Sequence, residues 1–320
     1  MSAPLDIFRA LADPTRLRIV ALLRKMELSV GELAQVLGQS QPRVSRHVKI
    51  LCDAGMAIRR KEGSWAFLCP GAPARVDPLF RALDQWQADD GENHWIIADS
   101  ARLAAVHADR AASAERYFAN HAAQWDAIRS LHVAESEVEA AMARALSERS
   151  VGRLVDVGTG TGRMIELFGR TAQSAIGIDR SPEMLRLARA KLANTDIATW
   201  ELRQGDLASL PVGDGAADTV ILHQVLHFIP APEVAIAELA RILSPSGRLL
   251  IADFAPHQRE ELRDQDAHTR LGFSDEQIAG WFAASGLDCD LSEELEGGTL
   301  TVKLWRGKRR AEPQLKVVAA

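Results

Sequence analysis

The run Leu154-Val155-Asp156-Val157-Gly158-Thr159-Gly160-Thr161-Gly162 carries one carboxylate and three alternating glycines, where an apolar strand pattern breaks into a turn. Glycine at alternate positions removes the side chains that hold a ligand away from the backbone. A nucleotide-like ligand would lie against such a turn and the helix start behind it. The pattern is G-x-G-x-G, not the dinucleotide G-x-G-x-x-G. Asp179 follows about 20 residues later, at the end of the next strand pattern, where a carboxylate accepts both ribose hydroxyl protons. Asp206, in Gln204-Gly205-Asp206-Leu207, is placed to accept from an adenine amino group. His223 closes the fourth apolar strand run.

The elements that must position these residues alternate. Strand patterns at Leu154–Val157, Ala175–Ile178, Ile197–Arg203, Thr219–Leu222 and Arg248–Phe254 are separated by helical patterns at Met164–Arg170, Glu183–Asn194 and Pro232–Leu243. Strands and helices in alternation predict a mostly parallel α/β sheet covered on both faces, with ligands at the carboxyl ends of the strands.

A different chemistry stands ahead of this region. Helical patterns run over Leu5–Ala12, a second helix opened by Asp13-Pro14, and Val30–Leu37, with Ser29 as cap, Glu32 at the capping-box position and Gly38 as the stop. Ser40 is expected to cap Gln41 to Ala54, whose Val44, Val48 and Leu51 face a core and leave Gln41, Arg43, Ser45, Arg46 and Lys49 outside. Arg and Gln make bidentate contacts to guanine and adenine edges, and Lys pairs with phosphate. Ala57 to Lys61 and Ser64 to Leu68 flank Glu62-Gly63 as a basic hairpin with Arg59, Arg60 and Lys61 on its first arm, a wing beside a helix-turn-helix.

On these segments the first part of the chain resembles the ArsR/SmtB family of winged-helix repressors. The matching residues are Leu11-Ala12-Asp13-Pro14-Thr15-Arg16-Leu17-Arg18-Ile19, Glu32-Leu33-Ala34, and Ser40 through Leu51. The resemblance implies a homodimer, built on the first helix and a fifth around Val76 to Gln87, that reads a two-fold double-stranded DNA operator (an inverted repeat). Arsenic-sensing members carry Cys-x-Cys at the third helix; here Ser29 and Gly31 stand there, and Arg75 to Asp90 holds no histidine. No soft-metal site is expected, and the signal must come from elsewhere.

With its motifs in order, the region of about residues 115–290 resembles a class I S-adenosylmethionine-dependent methyltransferase. The resemblance implies a Rossmann-like, mostly parallel seven-stranded sheet. Asp156, Gly158, Gly160 and Gly162, with Thr159 in the same turn, would form the methionine-side pocket. Asp179, with Arg180 beside it, would hold the ribose. Met184 would lie against adenine, which Asp206 and Leu207 would read. His223 would sit near the transfer site. Tyr117-Phe118 and Trp125-Asp126 look like the cover helices of such enzymes, where an aromatic lies over the cofactor; plain helix packing is the alternative for Tyr117. His223, His227 and Tyr117 are the candidate catalytic groups. Arsenite methylation is not expected, because Cys289 is the only cysteine of this region, and the N-P-P-[FY] motif is replaced by Leu222-His223-Gln224-Val225-Leu226.

The expected organisation is therefore a winged helix-turn-helix domain (1–90), a helical linker with cover helices (91–150), a methyltransferase domain (151–307) and a basic tail (308–320). The charge agrees with a polyanion-binding end: residues 1–75 carry +6 within a chain of net −5. Three scattered cysteines point to a reducing cytoplasm. The longest apolar runs are too short for a membrane span, and the N-terminus has no secretory pattern. Two functions fit: a transcriptional regulator that senses S-adenosylmethionine or S-adenosylhomocysteine, which is preferred, or a methyltransferase acting on a small molecule in a pathway that the winged head regulates.

Overall fold

The computed structural model describes residues 4–62, 65–90, 97–106, 108, 135–295 and 299–310. The chain divides into two compact units, Met1–Ala112 and Ser113–Ala320.

In the first unit the helices are α1 (Pro4–Leu11), α2 (Pro14–Lys25), α3 (Val30–Leu37), α4 (Gln41–Asp53) and α5 (Pro73–Asp90), followed by a helical segment at 97–106. A two-residue strand β1 (Leu28–Ser29) joins the hairpin of β2 (Ala57–Glu62) and β3 (Trp65–Pro70) in a three-stranded antiparallel sheet ordered β1-β3-β2. Local chemistry sets the helix ends. Asp13 accepts from the Thr15 and Arg16 N–H groups, Ser29 and Glu32 form a reciprocal capping box, and Gly38 stops α3 in the left-handed region at φ 64°. Ser40 stands at the N-cap of α4 but makes no side-chain cap hydrogen bond there, contrary to expectation, and the helix ends one residue early at Asp53. Val44, Val48 and Leu51 are buried in one apolar core with Ile19, Leu23, Leu33 and Met56.

The second unit is a seven-stranded sheet ordered β6-β5-β4-β7-β8-β10-β9. Its strands are β4 (Gly152–Val157), β5 (Ala172–Asp179), β6 (Trp200–Gln204), β7 (Ala217–His223), β8 (Leu243–Phe254), β9 (Leu287–Leu295) and β10 (Val302–Arg309). All pairs from β6 through β8 are parallel; β10 runs antiparallel to both β8 and β9. Alternate residues of the central strands serve opposite faces. Val155, Val157, Val220, Leu222, Leu249 and Ile251 belong to one buried cluster, and Leu154, Ile221, Leu250 and Ala252 to the other.

Three expectations change here. The strand at Ile197–Arg203 begins only at Trp200, because Ile197 is buried in the helix-side core, against Gly169. The strand at Arg248–Phe254 starts earlier, at Leu243, which pairs with Ala217. The basic tail expected at 308–320 begins inside a strand. Lys308 and Arg309 complete β10: Lys308 pairs with Asp290 at 2.5 Å, and Arg309 donates to the Leu243 carbonyl at 2.6 Å.

Candidate functional site

Parallel register brings the strand ends together. Val157 lies beside Ile178 and Leu222, Asp179 beside Gln204, and His223 beside Ala252. The carboxyl ends of β4, β5, β6 and β7 thus gather the glycine turn, Asp179, Asp206 and His223 on one edge of the sheet.

The turn is built by its three glycines, all at positive φ: 70° at Gly158, 52° at Gly160 and 83° at Gly162. The N–H groups of Gly158 and Thr159 both donate to the Ile178 carbonyl, at 2.8 and 2.9 Å. Thr159 Oγ1 donates to Asp156 Oδ2 at 2.6 Å, and both residues are buried. Not every missing side chain leaves room for a ligand. A Cβ on Gly158 would stand 2.4 Å from Val225, and one on Gly162 would stand 3.3 Å from Ala188 and Leu192. Those two glycines answer a packing demand. Gly160 presents its N–H to Asp179 Oδ2 at 2.8 Å.

Asp179 accepts a second backbone N–H, from Ser181, on its other oxygen at 2.9 Å. Burial nonetheless pushes its carboxyl above the usual value, against the hydrogen bonds of Ser181, Gly160 and Arg180. Arg180 is exposed and approaches Asp206 Oδ2 at 4.0 Å. Asp206 is exposed and accepts the Ala208 N–H at 2.9 Å. Leu207 is buried in the sheet core, and Met184 is buried in the first turn of the helix Pro182–Leu192, which Ser181 caps. His223 is buried with Nε2 3.7 Å from Glu135 Oε1, at the start of the helix Glu135–Leu146. Tyr117 lies outside the described residues.

Two features at this edge escaped the sequence reading. Gln224, directly after His223, holds a left-handed backbone at φ 52°. His227 Nδ1 meets Asp253 Oδ1 at 2.8 Å, both fully buried. One charge inside the apolar run Leu249–Phe254 was the available signal for Asp253.

In the first unit Gln41, Arg43, Arg46 and Lys49 are exposed along α4, with Ser45 half-buried. His47, on the same helix, packs inward with Nδ1 3.7 Å from Asp13 Oδ1. Arg59 is exposed on β2; Arg60 and Lys61 belong to the same strand, and their side chains lie outside the described residues. Ser29, where a sensor thiolate would stand, accepts the Glu32 N–H at 3.2 Å while Glu32 accepts the Ser29 N–H at 2.7 Å. No helix among the described residues is long and apolar enough to cross a membrane.

Comparison with known proteins separates the same two regions. Residues 13–59 match the model of bacterial regulatory proteins of the arsR family, and residues 155–251 match a methyltransferase domain. The arsenical resistance operon repressor of Escherichia coli K12 is 37% identical over 102 residues, 31% of this chain and 86% of that protein. A demethylmenaquinone methyltransferase of Tropheryma whipplei is 34% identical over 106 residues, 33% of this chain but only 43% of that protein. Among solved structures, a chain from the Haloferax volcanii complex between the Trm112 methyltransferase activator and a methyltransferase candidate superposes with a TM-score of 0.51. It is 20% identical and covers 62% of this chain and 99% of that one, a likeness of fold.

Proposed function

The chain belongs to the arsR family of bacterial regulatory proteins, and on that premise we propose that it is a DNA-binding transcriptional regulator whose methyltransferase domain takes S-adenosylmethionine or S-adenosylhomocysteine as its effector. One observation carries the reading. Asp179 is a half-buried carboxylate fixed at a strand end by one N–H on each oxygen. A carboxylate has about four lone-pair sites, so it retains capacity to accept two ribose hydroxyls. The residues present fit an adenosyl ligand. Asp156, Thr159 and Gly160 would take its methionine side in the turn that Gly158 and Gly162 shape, Asp179 and Arg180 the ribose, Met184, Asp206 and Leu207 the adenine, and His223 the sulfur end. Ser29, which stands where the arsenic sensors of the resembled family carry a thiolate, is committed to capping α3.

Gln41, Arg43, Ser45, Arg46 and Lys49 would enter the major groove, with the Arg59, Arg60 and Lys61 arm on phosphates. Leu5 and Phe8 on α1 are 56% and 70% exposed. That apolar surface suits a second copy, giving a homodimer on a two-fold operator in the cytoplasm. Ligand binding would shift operator affinity; a several-fold effect requires about 1–3 kcal/mol of coupling.

The test is calorimetry of the full chain with both adenosyl compounds, paired with operator binding at fixed salt. Micromolar binding that alters operator affinity, and its loss in Asp179→Ala, is the expected result. Absence of heat with either compound ends the proposal.

A second reading, methyl transfer to a small molecule, is favoured by the buried histidines His223 and His227 at the same edge. S-adenosylmethionine, when bound, supplies an electrophilic methyl group. The chain would position an acceptor and exclude water. Turnover on a panel of thiols, phenols and amines separates the two readings.

A further inference from the structure

The first unit holds a cleft of about 80 Å3 between α2, α5 and the helical segment at 97–106. Helical spacing builds its walls. Arg18, Ala21, Leu22 and Lys25 follow one another at i, i+3, i+4 and i+7 on α2, so they share a face. Phe80, Leu83 and Asp84 repeat that spacing on α5. The apolar members of both helices line the cleft, and charged groups stand around them.

Those charges do not cancel. Arg18, Arg24 and Lys25 are cations, and Asp84 and Asp99 are carboxylates. Arg18 is tied to Asp99, which is 3% exposed, by two hydrogen bonds of 2.6 and 2.7 Å. Arg24 is tied to Asp84 by another two, of 2.6 and 3.0 Å, and its guanidinium lies 4.9 Å from the centre of the Phe80 ring. Each acid therefore has both oxygens on one arginine. Lys25 meets no carboxylate among the described residues; its ammonium donates to the Ser100 hydroxyl at 3.1 Å. An ammonium has three donors, so it keeps capacity for another acceptor. Apolar walls thus meet one uncompensated positive charge at the cleft's edge, where Lys25 is exposed.

We propose that this cleft binds a small organic monoanion, a carboxylate on a short apolar chain, with the chain against Phe80 and Leu83 and the carboxylate on Lys25. Size and charge select this class. At about 30 Å3 for each water-sized group, 80 Å3 takes roughly three such groups, the chain of butyrate. A dianion would bring a second negative charge against Asp84 and Asp99. A cation would find both acids already held by arginines, and a neutral chain would leave Lys25 without a counter-charge.

The full-length protein is titrated at constant ionic strength with butyrate, with butyramide, which lacks the charge, and with butylammonium, which reverses it. Binding is followed by ligand-observed NMR. Butyrate is expected to bind about tenfold more tightly than either control, the difference that one charge-assisted hydrogen bond supplies. Lys25→Gln, at an exposed position, is expected to keep its Tm and lose about tenfold in butyrate affinity, whereas Lys25→Arg retains it. Ala21→Leu, which extends a side chain into the cleft, is expected to weaken butyrate as well; a contact made by Lys25 on the open surface would not respond. Absence of butyrate binding, equal binding of the three compounds, or unchanged butyrate affinity in Lys25→Gln or in Ala21→Leu overturns the proposal. The cleft lies in the first unit, so failure of S-adenosylhomocysteine to bind would end the adenosyl reading and leave these outcomes as they stand.

Discussion

As the surfaces proposed for recognition, the exposed face of α4 and the strand-end edge of the sheet are opposite in construction. Along α4 the polar side chains Gln41, Arg43, Arg46 and Lys49 stand in solvent, carried on a helix whose other face is core. At the sheet edge Asp156, Asp179 and His223 are buried or half-buried, and each is tied to another part of the second unit: Thr159, Gly160 and Ser181, and Glu135. A surface that meets a polyanion needs only cations held on a rigid element, because the long-range charge term supplies most of the affinity. A site for a small ligand needs fixed directions, so its groups are held by neighbours before anything binds. The first arrangement is local in sequence; the second exists only once four strands are in register.

The largest effect that would break this contrast is expected at Gly158. Gly158→Ala places a Cβ 2.4 Å from Val225 at a residue with φ 70°. Overpacking and backbone strain together amount to about 3 kcal/mol. Chemical denaturation is expected to lower the transition of the second unit, identified as the one that S-adenosylhomocysteine raises, and to leave that of the head in place. Equal shifts in both transitions would show that the two units do not divide the work as described.

Reciprocal substitutions come next. Arg43→Ala with Arg46→Ala is expected to cost about 1–3 kcal/mol of operator affinity for each arginine that reads a base, and to leave adenosyl affinity unchanged. The operator can be selected from random-sequence DNA. Asp179→Ala is expected to do the reverse, weakening adenosyl binding with ligand-free operator affinity intact. Loss of both activities in either variant would mean that the residues support folding and not recognition.

The two regions were not equally legible in the sequence, and the reason is physical. Asp13, Ser29, Glu32 and Gly38 act on atoms a few residues away, so spacing alone placed them. The strand ends Asp156, Asp179 and His223 were found because a strand terminates where its apolar run does. What those residues touch was not legible. The approach of Val225 to Gly158 spans two strands, and Asp253 meets His227 only because β8 lies beside β7. Strand β9 was hidden in the same way. Four of the nine residues Leu287–Leu295 are acidic and five are exposed, the pattern of an edge strand, and only pairing with β10 defines it.

Acid should separate the units too. Burial, reinforced by His227, Arg259 and Arg263, pushes His257 down to about 4 from 6.5, with Asp253 opposing. The unfolded chain therefore takes up this proton first. Stability of the second unit falls as pH drops from 6.5 to 4, by on the order of 1–3 kcal/mol, and this contribution levels off below. In the head, burial acts to raise the Asp13 carboxyl, but the Arg16 and Thr15 N–H groups and the charges of His47 and Arg16 leave it below 3.8. Its contribution is present above 3.8 and is lost only as pH falls through the lower folded value. Urea midpoints between pH 7 and 4 should decline for the second unit and flatten in His257→Gln. A wild-type midpoint unchanged by pH in that window would contradict the burial of this ring.

The smallest effect discriminates most finely, because it sets two serines of the head against each other. Ser29 and Ser40 both precede helices, and by residue type alone both should cap. Ser29 accepts the Glu32 N–H within a capping box, whereas the Ser40 hydroxyl makes no cap bond to α4. Replacing a working cap with alanine costs about 1 kcal/mol. Ser29→Ala is therefore expected to lower the stability of the head by about that amount, and Ser40→Ala to leave it nearly unchanged. The Ser40 hydroxyl stays available at the start of α4, the helix proposed to face DNA, where a helix N-terminus attracts phosphate. Ser40→Ala should then weaken operator binding more than it weakens the fold, and the opposite ranking of the two serines in a denaturation series would place Ser40 in the structure of the head and not on its DNA-facing surface.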